Sequence, residues 1–453
     1  MSTLSSDEEA GGGHHEFEGP SSSRRRTITV VAAWQHPAGV WPAPFVEALA
    51  FRVAVDASRT SGRLAAAQAL FNIFQVCSTW RAVSNSELLW YNLSRHIWIS
   101  AGLGCRPTWR DEYIHRHRTA VNFHLCRHAH VALHLLPDVG PAGRQLSCRR
   151  LALSDLHLAI GFSDGGVHIF RLPDGPHLIS MLYPHGHDRH LGRFSSSVSG
   201  IILTDARLVF ATLDGDVHVS GLDGQSFLRR ARMGDVVSDG ALVDFSGSDR
   251  WWVGLYAGVP GRSFHIWNGE TEELLFVGGS LTDTEALTGW HSLTIMTDPI
   301  GRVRVTAQGH AVACTAHRVI AFDLQNQVAT VCGDEQSRRG IIVGSFDSNH
   351  DSLLVADGRG RAHVRRVGDL GEVSRFAVRR GSGRMGKVLG CMNSGCAVLS
   401  VGGLIRVWGI ESGEYLYSFS ERMEECSAIV VDETRVAACS SDGIVHVWNF
   451  GAQ

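Results

Sequence analysis

The chain has 453 residues, a formal net charge of −3, and a composition that is 44% hydrophobic and 19% charged. This length exceeds one ordinary compact domain, so we expect several folding units, or one large repeat domain with an appendage. A protein that holds DNA by neutralising phosphates is basic over at least one domain, so the charge disfavours direct nucleic-acid binding. No apolar run reaches the roughly 18 residues of a membrane span, and the first residues lack the pattern of a signal peptide.

The 10 cysteines are scattered and form no CxxC pair, which indicates reduced cysteines in an intracellular protein, cytosolic or nuclear. The 50 glycines follow no collagen-like period and indicate many tight turns. Residues 1–38 are rich in Ser, Gly and Glu and predict a disordered tail. Within it, Arg24, Arg25 and Arg26 form a short basic cluster, either part of a nuclear import signal or a solvated tail.

Residues 39–98 carry apolar side chains at helical spacing and predict a small all-helical module. Phe45, Leu49 and Val53 follow this spacing in the first stretch. Residues 99–120 predict a linker helix, with Tyr113 and Ile114 among charged residues.

From residue 121 onward the period changes to alternation, and only strands and turns are expected. Short units such as Asp-Gly-Gly-Val-His-Ile-Phe at 164–170 and Asp-Gly-Ile-Val-His-Val-Trp at 442–448 recur. Equivalent positions of the seven copies are 168, 218, 265, 320, 363, 406 and 446. Repeats of this length are typical of four-stranded blades, so residues 121–453 predict a seven-bladed β-propeller of WD-repeat type.

Only five residues follow Trp448, which leaves no room for the fourth strand of the last blade. We therefore predict that the segment 121–136 supplies that strand and closes the ring, which removes an open sheet edge.

The segment Val-Cys-Ser-Thr-Trp-Arg-Ala-Val-Ser at 76–84, followed by Leu-Leu-Trp at 88–90, resembles the second half of an F-box. Together with Trp-Arg-Asp-Glu-Tyr at 109–113, it is similar to F-box WD-repeat proteins. Over its full length the chain also resembles plant proteins of this kind that regulate flower and organ development. The resemblance implies a nuclear substrate receptor of an SCF-type cullin ubiquitin ligase that acts on transcriptional repressors.

The resemblance also implies that the helical module binds a Skp-family adaptor, which in turn binds a cullin. The positions carried over from the F-box are Pro42, Phe45, Leu49, Leu70, Val76, Cys77, Trp80 and Trp90. The alternative is that these residues form only the core of a helical cap, in a nuclear co-regulator whose propeller binds transcription factors. Burial of these side chains against the propeller would favour the second hypothesis.

The sequence contains two further clusters of polar residues. His124, Cys126, His128 and His130 alternate along the predicted strand 121–136, and we interpret them as a polar outer face without a metal. The stretch 359–387 is rich in arginine and predicts a substrate-binding patch for an acidic or phosphorylated segment, with a solvated surface as the alternative. The patch residues are Arg359, Arg361, Arg365, Arg366, Arg379 and Arg380.

No catalytic motif is present, so we expect neither enzymatic activity in this chain nor a cofactor.

Overall fold

The computed structural model describes residues 41–99, 106–135, 147–173, 175–184, 193–222, 227–281, 299–325, 330–378 and 386–451. The expected disordered tail, residues 1–38, lies outside this range. None of the described helices is long and apolar enough to cross a membrane.

The first part of the described chain is helical. Its elements are α1 (Ala43–Ser61), α2 (Ala65–Phe74), α3 (Ser78–Ala82), a 3-10 helix (Val83–Asn85), α4 (Glu87–Ile97) and α5 (Trp109–Leu125). Side-chain caps fix the starts of the last two helices. The Ser86 hydroxyl accepts a hydrogen bond from the Leu89 backbone N–H at 3.3 Å, and the Thr108 hydroxyl accepts one from the Asp111 backbone N–H at 3.1 Å.

The rest of the described chain is built from strands. They are β1 (Ala129–His134); β2 (Cys148–Leu153), β3 (His157–Phe162), β4 (Val167–Arg171), β5 (His177–Leu182); β6 (Val198–Leu203), β7 (Arg207–Thr212), β8 (Val217–Gly221), β9 (Arg229–Arg232); β10 (Ala241–Gly247), β11 (Trp251–Ala257), β12 (Phe264–Asn268), β13 (Leu274–Gly278); β14 (Gly301–Val305), β15 (His310–Thr315), β16 (Arg318–Asp323), β17 (Thr330–Gln336); β18 (Ile341–Ser348), β19 (Ser352–Asp357), β20 (Arg361–Arg366), β21 (Glu372–Ala377); β22 (Val388–Met392), β23 (Cys396–Val401), β24 (Leu404–Gly409), β25 (Tyr415–Ser418); β26 (Cys426–Val431), β27 (Arg435–Ser440) and β28 (Ile444–Asn449). A short 3-10 helix (Arg193–Ser196) precedes β6, and α6 (Val236–Asp239) precedes β10.

These strands form seven antiparallel four-stranded sheets, which confirms the predicted seven-bladed propeller. The first strands of neighbouring blades contact one another in a closed ring: β2–β6, β6–β10, β10–β14, β14–β18, β18–β22, β22–β26 and β26–β2. These first strands therefore line the central axis, and the fourth strands lie at the rim.

The repeat positions found in the sequence all lie on the third strand of a blade. The Asp-Gly pairs that precede several of them turn the chain from the second strand into the third. In the first blade Gly165 has a φ of 91°, and the Asp164 carboxylate accepts a hydrogen bond from the Gly166 backbone N–H at 2.9 Å. Glycine is favoured there because other residues rarely adopt this left-handed conformation.

The last blade has the strand order β1-β28-β27-β26, so the strand that completes it does come from the segment before the first blade. Its predicted extent, 121–136, is wrong at the start, because residues 121–125 belong to α5. The buried residues of α5 include Thr119, Asn122 and Phe123, which follow helical spacing, and the helix ends where Cys126 adopts a left-handed φ of 57°. The alternation seen in the sequence at 121–125 was therefore part of a helix.

The helical module has a hydrophobic core of its own, formed only by residues between Val46 and Ala120. Its contacts with the propeller include the following two. The ring of Phe123 stacks on that of Phe450 at 3.8 Å between centroids, while the Asn122 amide donates to the Phe450 carbonyl at 2.8 Å. Arg63, in the loop between α1 and α2, forms an ion pair with Glu433 at 3.1 Å.

Candidate functional site

Several large apolar side chains of the helical module are exposed. Phe71 on α2, Val76 in the turn before α3 and Leu88 on α4 expose 55%, 61% and 61% of their surface. Phe45 and Trp41 stack at 4.6 Å at the start of α1 and are also exposed. Burial of such side chains against a partner protein is favourable because it removes apolar surface from water. This set is therefore a candidate protein-binding surface. We call Phe45, Phe71, Val76 and Leu88 the exposed apolar set.

The eight residues carried over from the F-box divide into two groups. Pro42, Phe45, Val76 and Cys77 are exposed. Leu70 and Trp90 are buried in the core of the module, and Leu49 and Trp80 are partly buried. The Trp90 ring N–H donates to the Ser84 carbonyl at 2.7 Å.

Phe71 and Leu88 were missed from the sequence. The buried side of α2 is formed by Ala66, Leu70 and Ile73, which share one face of a helix. Phe71 lies outside that spacing. A large apolar residue off the buried face of a short amphipathic helix is the signal that would have identified it.

The basic patch is only partly accessible in the described residues. Arg361 and Arg365 share one face of β20, but Arg365 forms an ion pair with Glu335, and Arg366 pairs with Asp369 at 3.3 Å. Arg359 and Arg361 are exposed and form no ion pair with any described residue. Arg379 and Arg380 lie outside the described residues.

A cleft of about 650 Å³ lies near Arg359, between the blades that begin with β14, β18 and β22. Gly358, which precedes Arg359, and Lys387 both line it. Lys387 is the only lysine of the chain, and it forms an ion pair at 3.6 Å with Glu425, which also lines the cleft. A concave surface and the exposed side chain of Arg359 therefore lie close together in the chain.

Contrary to the prediction from the sequence, the four residues of the histidine cluster do not lie along one strand. His124 lies on α5 and Cys126 ends that helix, so only His130 of the four lies within a strand. His130 Nε2 lies 3.0 Å from Nδ1 of His446 on the neighbouring strand. Within the described ranges, no group of three metal-binding side chains comes together.

The fold places the chain in the class of seven-bladed β-propeller proteins. A curated protein of Arabidopsis thaliana, "Transcriptional regulator STERILE APETALA", is 51% identical over 417 residues, which are 91% of this chain and 92% of that protein. The chain belongs to the STERILE APETALA family.

No protein-family model matches the chain. Among solved structures, the computationally designed Ika8 protein is 15% identical with a TM-score of 0.44, and covers 68% of this chain and 98% of its own. The WD40 β-propeller domain of Doa1 is 13% identical with a TM-score of 0.46, and covers 68% of this chain and 94% of its own.

Proposed function

We propose that this protein is a nuclear, non-catalytic substrate receptor of an SCF-type cullin ubiquitin ligase. In this role its helical module binds a Skp-family adaptor, and its propeller holds transcriptional repressors or other transcription factors for ubiquitination. The outcome of that activity is the regulation of flower and organ development.

The observation that carries this proposal is the exposed apolar set. The core of the helical module is complete without the propeller, and Phe71, Val76 and Leu88 still expose more than half of their surface. A helical cap that served only to cover the propeller would bury such residues against it. Exposed apolar side chains on short helices instead suit a partner helix that covers them.

The contribution of such a receptor to the reaction is proximity. A substrate held on the propeller is kept near the ubiquitin-carrying enzyme, which raises the effective concentration of its lysines. The contacts of Arg63 and Phe123 with the propeller support this role, because they limit the rotation of one part against the other.

For the substrate-binding surface we propose the basic patch beside the cleft, with Arg359 and Arg361 as its accessible members. A guanidinium binds carboxylate or phosphate oxygens through two parallel hydrogen bonds, so an acidic or phosphorylated segment is the matching ligand. Replacing Arg359 and Arg361 by Glu should abolish substrate co-precipitation. The matched control is Arg171→Glu, which reverses an exposed charge on another blade.

The second candidate function is a nuclear co-regulator that binds transcription factors through the propeller, without ubiquitin ligase activity. The name of the Arabidopsis relative, a transcriptional regulator, is compatible with either function. The two functions differ in whether the helical module binds an adaptor.

The deciding experiment is co-purification of the full chain with a Skp-family adaptor and cullin. We compare the wild type with a Phe71→Ser/Val76→Ser variant, which changes exposed residues and leaves the module core intact. Phe227→Ser/Val237→Ser is the control, because these propeller side chains are 91% and 89% exposed.

We expect the wild type and the control to retain both partners, and the Phe71/Val76 variant to lose them while keeping its melting temperature. Retention by the variant would show that another surface binds the adaptor. No binding by the wild type would overturn the receptor proposal and favour the co-regulator.

A further inference from the structure

Charged side chains from the first strands meet along the central axis of the propeller. Asp244 on β10 accepts hydrogen bonds from Arg150 on β2 at 3.0 Å and from Arg304 on β14 at 3.1 Å. It also accepts one from the Val303 backbone N–H at 2.8 Å. Asp347 on β18 accepts one from Arg304 at 2.7 Å. These contacts join blades on both sides of the axis.

A third guanidinium, that of Arg302 on β14, belongs to the same group. It donates one hydrogen bond, to the Phe346 carbonyl at 3.3 Å. Its Nε is shielded from solvent and has no partner among the described residues, and no described carboxylate forms an ion pair with it. Both nearby carboxylates are already engaged by Arg150 and Arg304.

Among the described residues, this group therefore has three guanidinium groups against two carboxylates. A largely buried charge without a partner is costly, since it gives up hydration and gains no compensating attraction. Burial and the charges of Arg304 and Arg150 lower the pKa of Arg302 to about 10, which agrees with an excess of positive charge here. An anion placed beside Arg302 would remove this cost.

The group is also accessible from solvent. The side chains of Arg150 and Arg304 keep 18% and 24% of their surface exposed, while that of Asp244 keeps 1%. Since these residues lie on the innermost strands, this exposed surface faces the central channel. A small ion that enters the channel meets guanidinium N–H groups before it meets the carboxylate of Asp244.

We propose that Arg302, with Arg150 and Arg304, forms a binding site for a phosphate-type oxyanion in the central channel. Guanidinium groups bind such tetrahedral anions through paired N–H donors. The anion comes either from solution as free phosphate or from a phosphorylated side chain inserted along the axis. This site is separate from the exposed apolar set, so it stands whether or not the adaptor binds.

The test is the thermal unfolding of the full chain in sodium phosphate and in sodium chloride of equal ionic strength. Phosphate should raise the melting temperature of the wild type by about 2–4 °C at concentrations well above its dissociation constant. Arg302→Met should abolish this increase and should also raise the melting temperature in chloride, because it removes an unpaired charge. The control Arg171→Met, at an exposed position on β4 outside the basic patch, should respond to phosphate like the wild type.

An equal response of wild type and Arg302→Met to phosphate would overturn the proposal, as would a wild type that phosphate does not stabilise. If Arg302→Met does not fold, Arg302→Lys serves instead and should keep a weakened response, because it retains the charge but loses the paired donors. A phosphoserine peptide distinguishes the two sources. If the phosphoserine peptide competes with phosphate and the unphosphorylated peptide does not, the site binds a protein segment. If neither peptide competes, the site binds the free ion.

Discussion

Arg63 contacts both parts of the molecule. Its guanidinium lies 5.0 Å from the centre of the Trp98 ring in the helical module and 3.1 Å from a carboxylate oxygen of Glu433 in the propeller. Glu433 also accepts hydrogen bonds from the Ser394 backbone N–H at 2.8 Å and from its hydroxyl at 2.6 Å. Burial raises the pKa of Glu433, but Arg63 and Ser394 outweigh it, so the pKa lies below its usual value.

Replacing Arg63 by Ala should weaken the attachment of the helical module to the propeller. The contact is a partly exposed, charge-assisted hydrogen bond, so the loss of stability should be about 1–2 kcal/mol. Faster proteolysis between α1 and α2 would report it, with Arg59→Ala at an exposed position of α1 as the control. Identical cleavage rates in the two variants would show that the other contacts, such as those of Asn122 and Phe123, suffice to hold the module.

We call the charged residues along the central axis, Arg150, Asp244, Arg302, Arg304 and Asp347, the channel group. Asp244 is its most buried member, and two guanidinium groups form hydrogen bonds with it. Asp244→Asn keeps the shape but removes the charge, leaving Arg150 without a carboxylate partner. We expect a loss of about 3–5 kcal/mol in the free energy of unfolding, as for other broken buried ion pairs. Urea denaturation measures it. Asp369→Asn, at an exposed ion pair, should change stability by less than about 0.5 kcal/mol, and a similar value for Asp244 would contradict this account.

At the scale of single elements, strand β1 determines whether the last blade is complete. It pairs with β28 over six residues, from Ala129 opposite Asn449 to His134 opposite Ile444. A chain that begins at residue 147 lacks this strand and exposes the edge of β28, whereas one that begins at residue 106 retains both α5 and β1.

We expect the chain from residue 147 to associate or aggregate, because an unpaired edge strand pairs with other chains. The chain from residue 106 should remain monomeric, and sizing by light scattering distinguishes the two. Monomers of both chains would mean that β1 is dispensable for closing the ring.

The stability of the pairing between β1 and β28 should be sensitive to acid. One ring of the His130–His446 pair donates and the other accepts, and Glu421 lies 3.8 Å from His130. Burial, followed by the charge of His130, lowers the pKa of His446 below 6.5, and burial lowers that of His265 to about 4. Because the unfolded chain then binds more protons than the folded one, stability is complete above pH 6.5 and is lost as the pH falls toward 4.

We therefore expect the melting temperature to fall between pH 7 and pH 5, and to fall less in His446→Gln, which lacks the histidine whose pKa the fold lowers. Melting curves over this range measure the effect. An equal fall in the two proteins would place the acid sensitivity in other histidines, such as His265.

Strong periodicity in the sequence allowed the blades and their third strands to be predicted. Local ambiguity in the pattern explains the wrong start of the closing strand. The Asp-Gly-x-Val-His units identified the third strand of the blades because each combines a turn signal with alternation. The boundary at 121–125 was wrong because Val121, Phe123 and Leu125 alternate by chance within a helix. The channel group was not predictable, since Arg150, Asp244 and Arg304 are far apart in sequence and meet only when the ring closes.

At the scale of the whole molecule, two surfaces are held in a fixed relation. The exposed apolar set lies on the helical module, and the cleft lined by Lys387 lies on the propeller. The module is joined to the propeller through Arg63 and through Phe123. A partner on each surface would therefore be kept near the other, as the proposed receptor role requires.

The pairing of β1 with β28 also has a consequence for the making of the protein. More than 300 residues separate the two strands. During synthesis, β1 emerges from the ribosome before the seven blades are made and has no partner until β28 is released. Blades can form one after another, but closure is among the slowest steps because it joins the most distant segments. Until then the nascent chain exposes free strand edges, which are able to pair with other chains.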